Sequence, residues 1–529
     1  MKRRQGIHAL DHRQTPWDFV VVGGGATGLG CAIEAASRGH DTVLLEMQDF
    51  ANATSSRSTK LVHGGVRYLE QGNVPLVFEA LRERTRLQEN APHLVESLPF
   101  VIPNYKWWEA PYYGIGMKVY DVLAGWHNFG RSKHLNRAET IEHVPTIAPD
   151  GLRGGVVYYD GQFDDARLAV NMAQTVVEQG GTCVNYMKVT DLVKDHAGRV
   201  CGVTAECQET GTTYQVDGRA VINATGIFTD SIRQMDDPSV PDTLRPSQGT
   251  HIVLDKSFLP GDSAIMVPKT DDGRVLFAIP WHDVVVVGTT DMEVDGPAME
   301  PRPMKEEIEF LLEHAGRYLV KTPAPEDVRS TFAGIRPLVA PPDSAGDTSE
   351  ISRDHTLHVS DSGLVTIAGG KWTTYRKMGE DTIDTATPVA GVKQRASTTE
   401  DLPIHGWHAH PDQFGDLAAY GSDAPSLRGL MQERPELQAQ LDDRLPIRAG
   451  QVVWAARHEM ARTVEDVLSR RTRSLLKNAR ASVDVAPQVA DLLADELGRD
   501  VSWKENQVTA FTDLANGYML ETQVEATAE

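Results

Sequence analysis

Three glycines and one acidic residue near the N-terminus have the spacing of a nucleotide-binding site. Gly23, Gly25 and Gly28 form a G-x-G-x-x-G pattern in VVVGGGATGLG, and Glu46 follows at the end of VLLE. The first glycine permits a tight turn, the second lets the backbone approach a pyrophosphate, and the third lets a helix pack on a strand. An acidic side chain about 20 residues further on binds ribose hydroxyls. These residues therefore predict a dinucleotide without a 2′-phosphate, FAD or NAD rather than NADP.

The segments around these four residues have the pattern that such a site requires. Val20 to Val22 is an apolar run expected to form a buried strand, and residues 42–45 (TVLL) predict a second strand. Small residues from Ala32 to Ala36 predict the packed face of a helix between them. The free N–H groups at the start of this helix would bind the pyrophosphate.

Three further polar or glycine-rich segments are expected at the same edge of a sheet. Ala53 to Lys60 (ATSSRSTK) lacks a packing period, and a glycine pair in HGG follows it. Ala224 to Gly226 (ATG) ends a predicted strand, and GGKWTTYRK follows a predicted strand at 363–368 and opens a helix. Ligands bind at the carboxyl ends of parallel strands, so these segments predict ligand contacts.

Composition excludes several classes of protein. The 529 residues carry a formal net charge of −22, which argues against a nucleic-acid partner. The four cysteines have no metal-ligand spacing, so we expect no metal site and reduced, mostly buried thiols. The basic N-terminus lacks the apolar run of a signal peptide, and no stretch of about 18 apolar residues is present. We expect a cytoplasmic protein that, if it acts at the cell membrane, lies on its inner face.

Several segments together resemble the FAD-dependent, quinone-linked glycerol-3-phosphate dehydrogenases. The resemblance covers most of the chain, and its most specific segments are TSSRSTKLVHGGVRYLE and GGKWTTYRK. It implies an α/β fold with three parts. These are a Rossmann-type two-dinucleotide-binding FAD domain like those of glutathione reductase and amino-acid oxidases, an α+β substrate domain, and a helical C-terminal domain. We expect the FAD domain at 17–100, 151–240 and 330–395, the substrate domain with its antiparallel sheet at 101–150 and 241–329, and the helical domain at 396–529.

The resemblance also implies the reaction, which is oxidation of sn-glycerol 3-phosphate to dihydroxyacetone phosphate with electrons passed through FAD to a quinone. Arginine and lysine suit a phosphate dianion. By resemblance, Arg67, Tyr68, Arg336, Arg353 and Lys371 are the candidate substrate-binding residues. Candidate flavin contacts, besides the glycine turn and Glu46, are Thr54, Ser55, Ser58, Thr59, His63, Gly64, Gly65, Ala224, Gly226, Gly370, Thr373 and Thr374.

Oxidation of an alcohol requires a base, and imidazole titrates near working pH. His251 in QGTHIVL is the candidate, with Arg336 stabilising the alkoxide and Lys371 beside the second glycine turn. His63 in LVHGG is the rival, although we expect it along the flavin. The choice between the two histidines stays open.

Other functions and partners also stay open at this point. An oxygen-reducing glycerophosphate oxidase or an amine oxidase has the same fold, and a non-catalytic FAD-binding regulatory protein is a different class. The sequence leaves a homodimer open. Candidate membrane contacts are the aromatic stretch Tyr105 to Tyr120, for which we favour a packed sheet or helix edge, and the basic segment Ser469 to Arg480.

Overall fold

The computed structural model describes residues 1–66, 73–271, 273–339 and 354–520. Its α-helices are α1 (Arg3–His12), α2 (Ala26–Ser37), α3 (Val74–Asn90), α4 (Glu109–Ala124), α5 (Arg137–His143), α6 (Asp165–Glu178), α7 (Thr229–Asp236), α8 (Lys305–Tyr318), α9 (Tyr375–Ala390), α10 (Ala424–Glu433), α11 (Ala449–His458), α12 (Ser474–Lys477), α13 (Ala479–Leu497) and α14 (Val501–Asn516). Shorter turns include 3₁₀ helices at Thr54–Ser56, Gly226–Phe228 and Trp372–Thr374, and a π-helix at Asp466–Arg471.

The first sheet has a parallel centre. Its strands are β1 (Trp17–Val22), β2 (Thr42–Leu45), β7 (Thr182–Val184), β8 (Met187–Lys194), β9 (Val200–Cys207), β10 (Thr213–Asn223), β17 (His355–Val359) and β18 (Val365–Gly369). The order β18-β10-β1-β2-β7 is parallel throughout, while β17, β9 and β8 add antiparallel pairs. The carboxyl ends of β1, β2, β10 and β18 therefore lie at one edge, where the sequence predicts ligand contacts.

The second sheet is antiparallel except for one pair. Its strands are β3 (Leu61–Val62), β4 (Val95–Asn104), β5 (Lys133–Asn136), β6 (Gly154–Phe163), β11 (Leu244–Asp255), β12 (Ala264–Val267), β13 (Leu276–Trp281), β14 (Val284–Gly288), β15 (Met292–Glu293) and β16 (Val328–Val339). Among the described strands of this second sheet, only β4 and β12 form a parallel pair. A separate hairpin joins β19 (Gln440–Asp442) to β20 (Leu445–Arg448).

Helices cover both sheets. The small-residue face of α2 packs with α6 and α9 in one apolar core against the first sheet. The C-terminal helices bury a second core against Trp281, Val286 and Phe332 of the antiparallel sheet. The fold is therefore the expected FAD-oxidoreductase architecture with a helical C-terminal part. All four cysteines are free, and three of them are buried.

The two candidate membrane segments differ from the expectation in opposite ways. Trp107 and Tyr112 are exposed, so the aromatic stretch is only partly packed, with Tyr120 buried. The basic segment is wrong as a surface patch because Arg470, Arg471 and Arg473 are buried among carboxylates. Buried arginines keep their charge only when paired, and here each has an acidic partner. No helix in the described ranges is long and apolar enough to cross a membrane.

Candidate active site

The glycine turn after β1 and the acid after β2 meet as the spacing predicts. Glu46 Oε2 accepts a hydrogen bond from the Gly24 N–H at 2.6 Å, and Oε1 accepts one from the Gln48 N–H at 2.8 Å. Burial raises the pKa of Glu46, and these two N–H groups oppose the shift. The carboxylate is thus fixed beside the turn that opens α2.

The turn has no room for side chains. Gly23 has φ +107°, and a Cβ there would lie 2.6 Å from the Ala224 carbonyl oxygen. A Cβ on Gly28 would lie 1.9 Å from the Gly23 oxygen. The N-cap of α2, Gly25, makes no side-chain cap, so the helix start can accept an anion. Glycine turn, helix start and Glu46 together fit the pyrophosphate and ribose of FAD.

The Ser/Thr-rich loop joins this turn to the rest of the site. Ser55 Oγ accepts a hydrogen bond from the Ala26 N–H at 2.9 Å, and the Ser55 carbonyl accepts one from Trp372 Nε1 at 2.9 Å. Thr54 Oγ1 donates to the Ile335 carbonyl at 2.7 Å, beside Arg336. Residues 54 and 55 therefore connect the first glycine turn, the second glycine turn and β16.

A cavity of about 310 Å³ lies between the two sheets. Its volume is in the range of small-molecule sites. Among the sequence-predicted residues, it is lined by Thr54, Ser58, Thr59, His63, Gly65, His251, Arg336, Gly370, Lys371 and Thr373. The structure thus brings together candidates from segments that are more than 300 residues apart in sequence.

His251 is buried in the wall of this cavity. Its Nε2 lies 3.0 Å from Thr59 Oγ1, and its ring stacks on Phe332 with centroids 4.6 Å apart. Burial, with smaller contributions from Lys60 and Arg336, holds the pKa of His251 well below its usual range. The lowered pKa favours the neutral ring, which has one unprotonated nitrogen that can accept a proton.

His251 and Arg336 lie on the paired strands β11 and β16, with two glycines between them. His251 is opposite Phe332, Arg336 is opposite Ser247, and Gly249 is opposite Gly334. Arg336 Nη2 donates to Thr289 Oγ1 at 3.1 Å, and its Nη1 lies 3.3 Å from Asp291 Oδ1. The glycine pair lets other groups pack against the strands here: a Cβ on Gly249 would collide with the Arg336 guanidinium, and a Cβ on Gly334 would collide with Arg57.

The other predicted residues are distributed around the cavity or at the sheet edge. The His63 N–H donates to Thr373 Oγ1 at 3.2 Å, at the second glycine turn. The Gly64 N–H donates instead to Tyr120 Oη at 3.0 Å, on α4. Gly23, Gly25, Gly28, Glu46, Ser55, Gly64, Ala224, Gly226 and Thr374 are not among the cavity-lining residues. Arg67, Tyr68 and Arg353 lie outside the described residues.

The cavity also contains charged residues that the sequence analysis did not select. Arg57 and Arg274 add two cations, and Asp160 and Asp291 add two carboxylates. Asp160 pairs with Arg84 at 2.6 Å, and Asp291 pairs with Arg336. The motif VVVVGTTD could have indicated Asp291, because this residue lies in the short segment after the end of β14 at Gly288. A chain with a net charge of −22 thus has a cation-rich cavity, which suits an anionic substrate.

Comparison with known proteins places the chain among flavoproteins. A family model described as FAD dependent oxidoreductase matches residues 18–376, and one described as C-terminal domain of alpha-glycerophosphate oxidase matches residues 367–507. The chain is 40% identical over 530 residues to the mitochondrial glycerol-3-phosphate dehydrogenase of Mus musculus, covering 93% of this chain and 72% of the relative. The Homo sapiens enzyme of the same name is 40% identical over 526 residues, covering 93% and 72%.

Two solved structures are similar in fold. The glycerol-3-phosphate dehydrogenase from Bacillus halodurans complexed with FAD matches with a TM-score of 0.79 and 29% identity, covering 98% of each chain. An L-alpha-glycerophosphate oxidase from Mycoplasma pneumoniae with FAD bound matches with a TM-score of 0.56 and 16% identity, covering 74% of this chain and 99% of that one. At that identity the second likeness concerns the fold alone.

Proposed function

The chain belongs to the FAD-dependent glycerol-3-phosphate dehydrogenase family, and we propose that its cavity oxidises sn-glycerol 3-phosphate to dihydroxyacetone phosphate. FAD is the cofactor, and when bound it would supply the hydride acceptor for oxidation of the alcohol at C2. The observation that carries the proposal is the pairing of β11 with β16, which sets His251 and Arg336 in one cavity wall with the glycine pair Gly249 and Gly334 between their positions. Because both residues line one cavity, a small alcohol between them meets a base and a cation.

His251 is the proposed base. Its neutral imidazole accepts the proton of the C2 hydroxyl while the hydride leaves, so that no charged alkoxide has to form without a partner. Arg336 stabilises negative charge on that oxygen, and Asp291 and Thr289 hold the guanidinium in place. His63, the rival base, lines the same cavity, but its backbone N–H is bound to Thr373 on the second glycine turn.

The cationic side chains that line the cavity are proposed to bind the phosphate of the substrate. Lys371 lies at the start of the 3₁₀ turn Trp372–Thr374, and Arg274 lines the cavity with it. Arg67, Tyr68 and Arg353, which lie outside the described residues, are proposed as further substrate contacts from the family resemblance. Such a set of cations favours a phosphorylated alcohol over an amine.

The remaining predicted residues are proposed to hold FAD. The turn at Gly23, Gly25 and Gly28 would bind the pyrophosphate, Glu46 the ribose, and residues 54–65, 224–226 and 370–374 the flavin side. Gly64 donates its N–H to Tyr120, so its proposed contribution is close packing rather than a hydrogen bond. The division into FAD, substrate and helical domains is part of this proposal, and the two separate sheets support a division into two sheet-containing parts. The boundaries given above do not follow the sheets, because β6 and β16, expected in the FAD domain, pair with β4 and β11 of the antiparallel sheet.

We further propose a quinone as electron acceptor and a peripheral contact with the inner face of the cell membrane. Helix α4 and the turn after it expose an apolar stripe, Trp108, Tyr112, Ile115, Val119, Val122 and Trp126, at intervals of three and four residues. Ile115 is 68% and Val122 80% exposed. Lys106 lies beside one end of the stripe, with its Nζ 5.8 Å from the centroid of the Trp108 ring, as expected for a helix end on an anionic lipid surface.

The proposal is tested by following the oxidised flavin band of the purified holoenzyme after anaerobic addition of sn-glycerol 3-phosphate. Bleaching that a quinone analogue reverses quickly and oxygen only slowly supports a dehydrogenase. Fast reversal by oxygen would indicate an oxidase. A flavin band unchanged by the substrate would contradict the proposed activity.

A further inference from the structure

Thr59 lies in a loop segment that is fixed on both of its sides by one buried carboxylate. Asp165, at the start of α6, is fully buried. Its Oδ2 accepts hydrogen bonds from Ser58 Oγ at 2.7 Å, from the Ser58 N–H at 3.1 Å and from Lys60 Nζ at 2.7 Å. Residues directly before and after Thr59 therefore share one anchor.

The C-terminal part of the chain supplies the second half of this anchor. Arg473 follows the π-helix at Asp466–Arg471, and its side chain is buried. Its Nη2 donates to Asp165 Oδ1 at 2.8 Å and to the Ser56 carbonyl at 2.9 Å. Both carboxylate oxygens are thus engaged, and the helical C-terminal part is attached to the loop that carries Thr59.

Thr59 in turn contacts the proposed base. Its Oγ1 lies 3.0 Å from His251 Nε2, although the two residues are 192 positions apart in sequence. Phe332, directly opposite His251 on β16, stacks on the imidazole with an interplanar angle of 9°. The stacking fixes the plane of the ring, and the hydroxyl fixes its rotation within that plane.

We propose that Thr59 is a positioning residue for His251, and that Asp165 together with Arg473 holds Thr59 in place. This inference rests on the proposed function in that His251 is taken as the base. Nothing in the family match assigns this task to Thr59, which the sequence suggests only as a flavin contact.

A hydroxyl at this position stabilises the protonated form of the His251 ring more than the neutral form. It can donate to a neutral imidazole nitrogen or, after rotation, accept from the N–H of an imidazolium. The hydrogen bond to the charged ring is roughly twice as strong as the neutral one. Nδ1 of His251 is buried without a hydrogen-bond partner, so the proton of the alcohol goes to Nε2, the nitrogen beside Thr59. The Thr59 hydroxyl turns from donor to acceptor as the imidazolium forms, and it contributes little to binding the alcohol itself.

The test compares Thr59→Val, which keeps the shape and loses the hydroxyl, with Thr59→Ser, which keeps the hydroxyl. Thr190→Val, at an exposed threonine on β8, is the matched control. We expect Thr59→Val to slow anaerobic flavin reduction about tenfold or more while the Kd for sn-glycerol 3-phosphate changes less than about threefold. Thr59→Ser should recover most of the rate. An unchanged rate in Thr59→Val would overturn the inference.

A second readout does not depend on turnover. In ¹⁵N-histidine-labelled, FAD-loaded enzyme without substrate, the His251 signals are identified by their absence in His251→Asn. We expect the nitrogen shift of His251 to move in Thr59→Val and in Arg473→Lys, and to stay in Thr190→Val. A shifted flavin spectrum with unmoved His251 signals would overturn the inference and assign Thr59 to the cofactor. A His251→Asn enzyme with full activity would instead contradict the proposed base.

Discussion

Gly249 and Gly334 face each other directly on β11 and β16, between the positions of His251 and Arg336. A Cβ on Gly249 would lie 2.4 Å from Arg336 Nη2 and 2.6 Å from Thr289 Oγ1. The guanidinium end can move, so Gly249→Ala should fold and bind FAD. We expect its KM for sn-glycerol 3-phosphate to rise on the order of tenfold, equivalent to about 1.4 kcal/mol of binding free energy.

Gly429→Ala is the control for that substitution. Gly429 lies in α10, and a Cβ there meets nothing within 4 Å. Alanine is favoured over glycine in a helix, so this variant should be at least as stable as the parent and have the same KM. Equal KM values in both variants would show that displacing the Arg336 guanidinium does not affect substrate binding.

The two candidate bases can be separated by substitution. We expect His251→Asn to lower the rate of flavin reduction by about 10²–10⁴, the usual contribution of a general base. His63→Asn should lower it less, because the family resemblance implies that His63 lies along the flavin rather than at the alcohol. Anaerobic stopped-flow at saturating substrate measures both rates. A larger loss in His63→Asn would exchange the two roles.

Local patterns in the sequence predict the parts of this site that lie close together along the chain. The glycine turn and Glu46 belong to one βαβ unit, so their spacing alone predicts their contact. The hydrogen bond between Thr59 and His251 depends on how the loop before β3 lies against β11, and no periodic pattern in the sequence predicts it. The expectation that the basic segment at 469–480 is a surface patch was wrong because it also depends on contacts distant in sequence. The carboxylates that pair with its buried arginines include Asp49, over 400 positions away.

Asp49 is expected to be important for stability. Arg470 Nε donates to its Oδ2 at 2.6 Å, and Arg471 donates to both oxygens. Asp49→Asn leaves two buried arginines with a weaker partner, and losing one member of a buried ion pair costs about 3–5 kcal/mol. Urea unfolding should show a lower free energy of unfolding for this variant. Asp41→Asn, at an exposed pair with Arg13, should change it by less than about 1 kcal/mol.

The effect of Asp49 should also depend on pH. Burial alone would raise the pKa of this carboxyl, but Arg471 and Arg470 lower it to about 2. A lowered folded-state pKa means that the stabilisation is complete above about pH 4 and is lost as the pH falls towards 2. The difference between parent and Asp49→Asn should therefore shrink on acidification. A constant difference would show that shape, not charge, causes the loss.

His405 predicts the opposite pH dependence. It lies between Asp423 at 2.8 Å and Glu178 at 2.6 Å, and although burial lowers its pKa, these carboxylates raise it to about 9. A raised folded-state pKa gives stabilisation that is complete below about pH 6 and is lost as the pH rises through 9. His405→Gln should lower the melting temperature at pH 6 and have little effect near pH 10. Equal losses at both pH values would contradict this ion pairing.

The apolar stripe on α4 gives a prediction that separates membrane contact from chemistry. Ile115→Glu combined with Val122→Glu puts two carboxylates on the exposed face of α4, whereas Met117 and Tyr120 lie on its buried face. We expect this variant to bind vesicles containing anionic lipid at least about tenfold more weakly in a sedimentation assay, because burying a charge at the lipid boundary is costly. Its rate with a water-soluble acceptor should be unchanged. Val501→Glu, at an exposed valine on α14, should keep vesicle binding. If all three proteins bound vesicles equally, α4 would not be the contact surface, since its charge would have no effect on attachment.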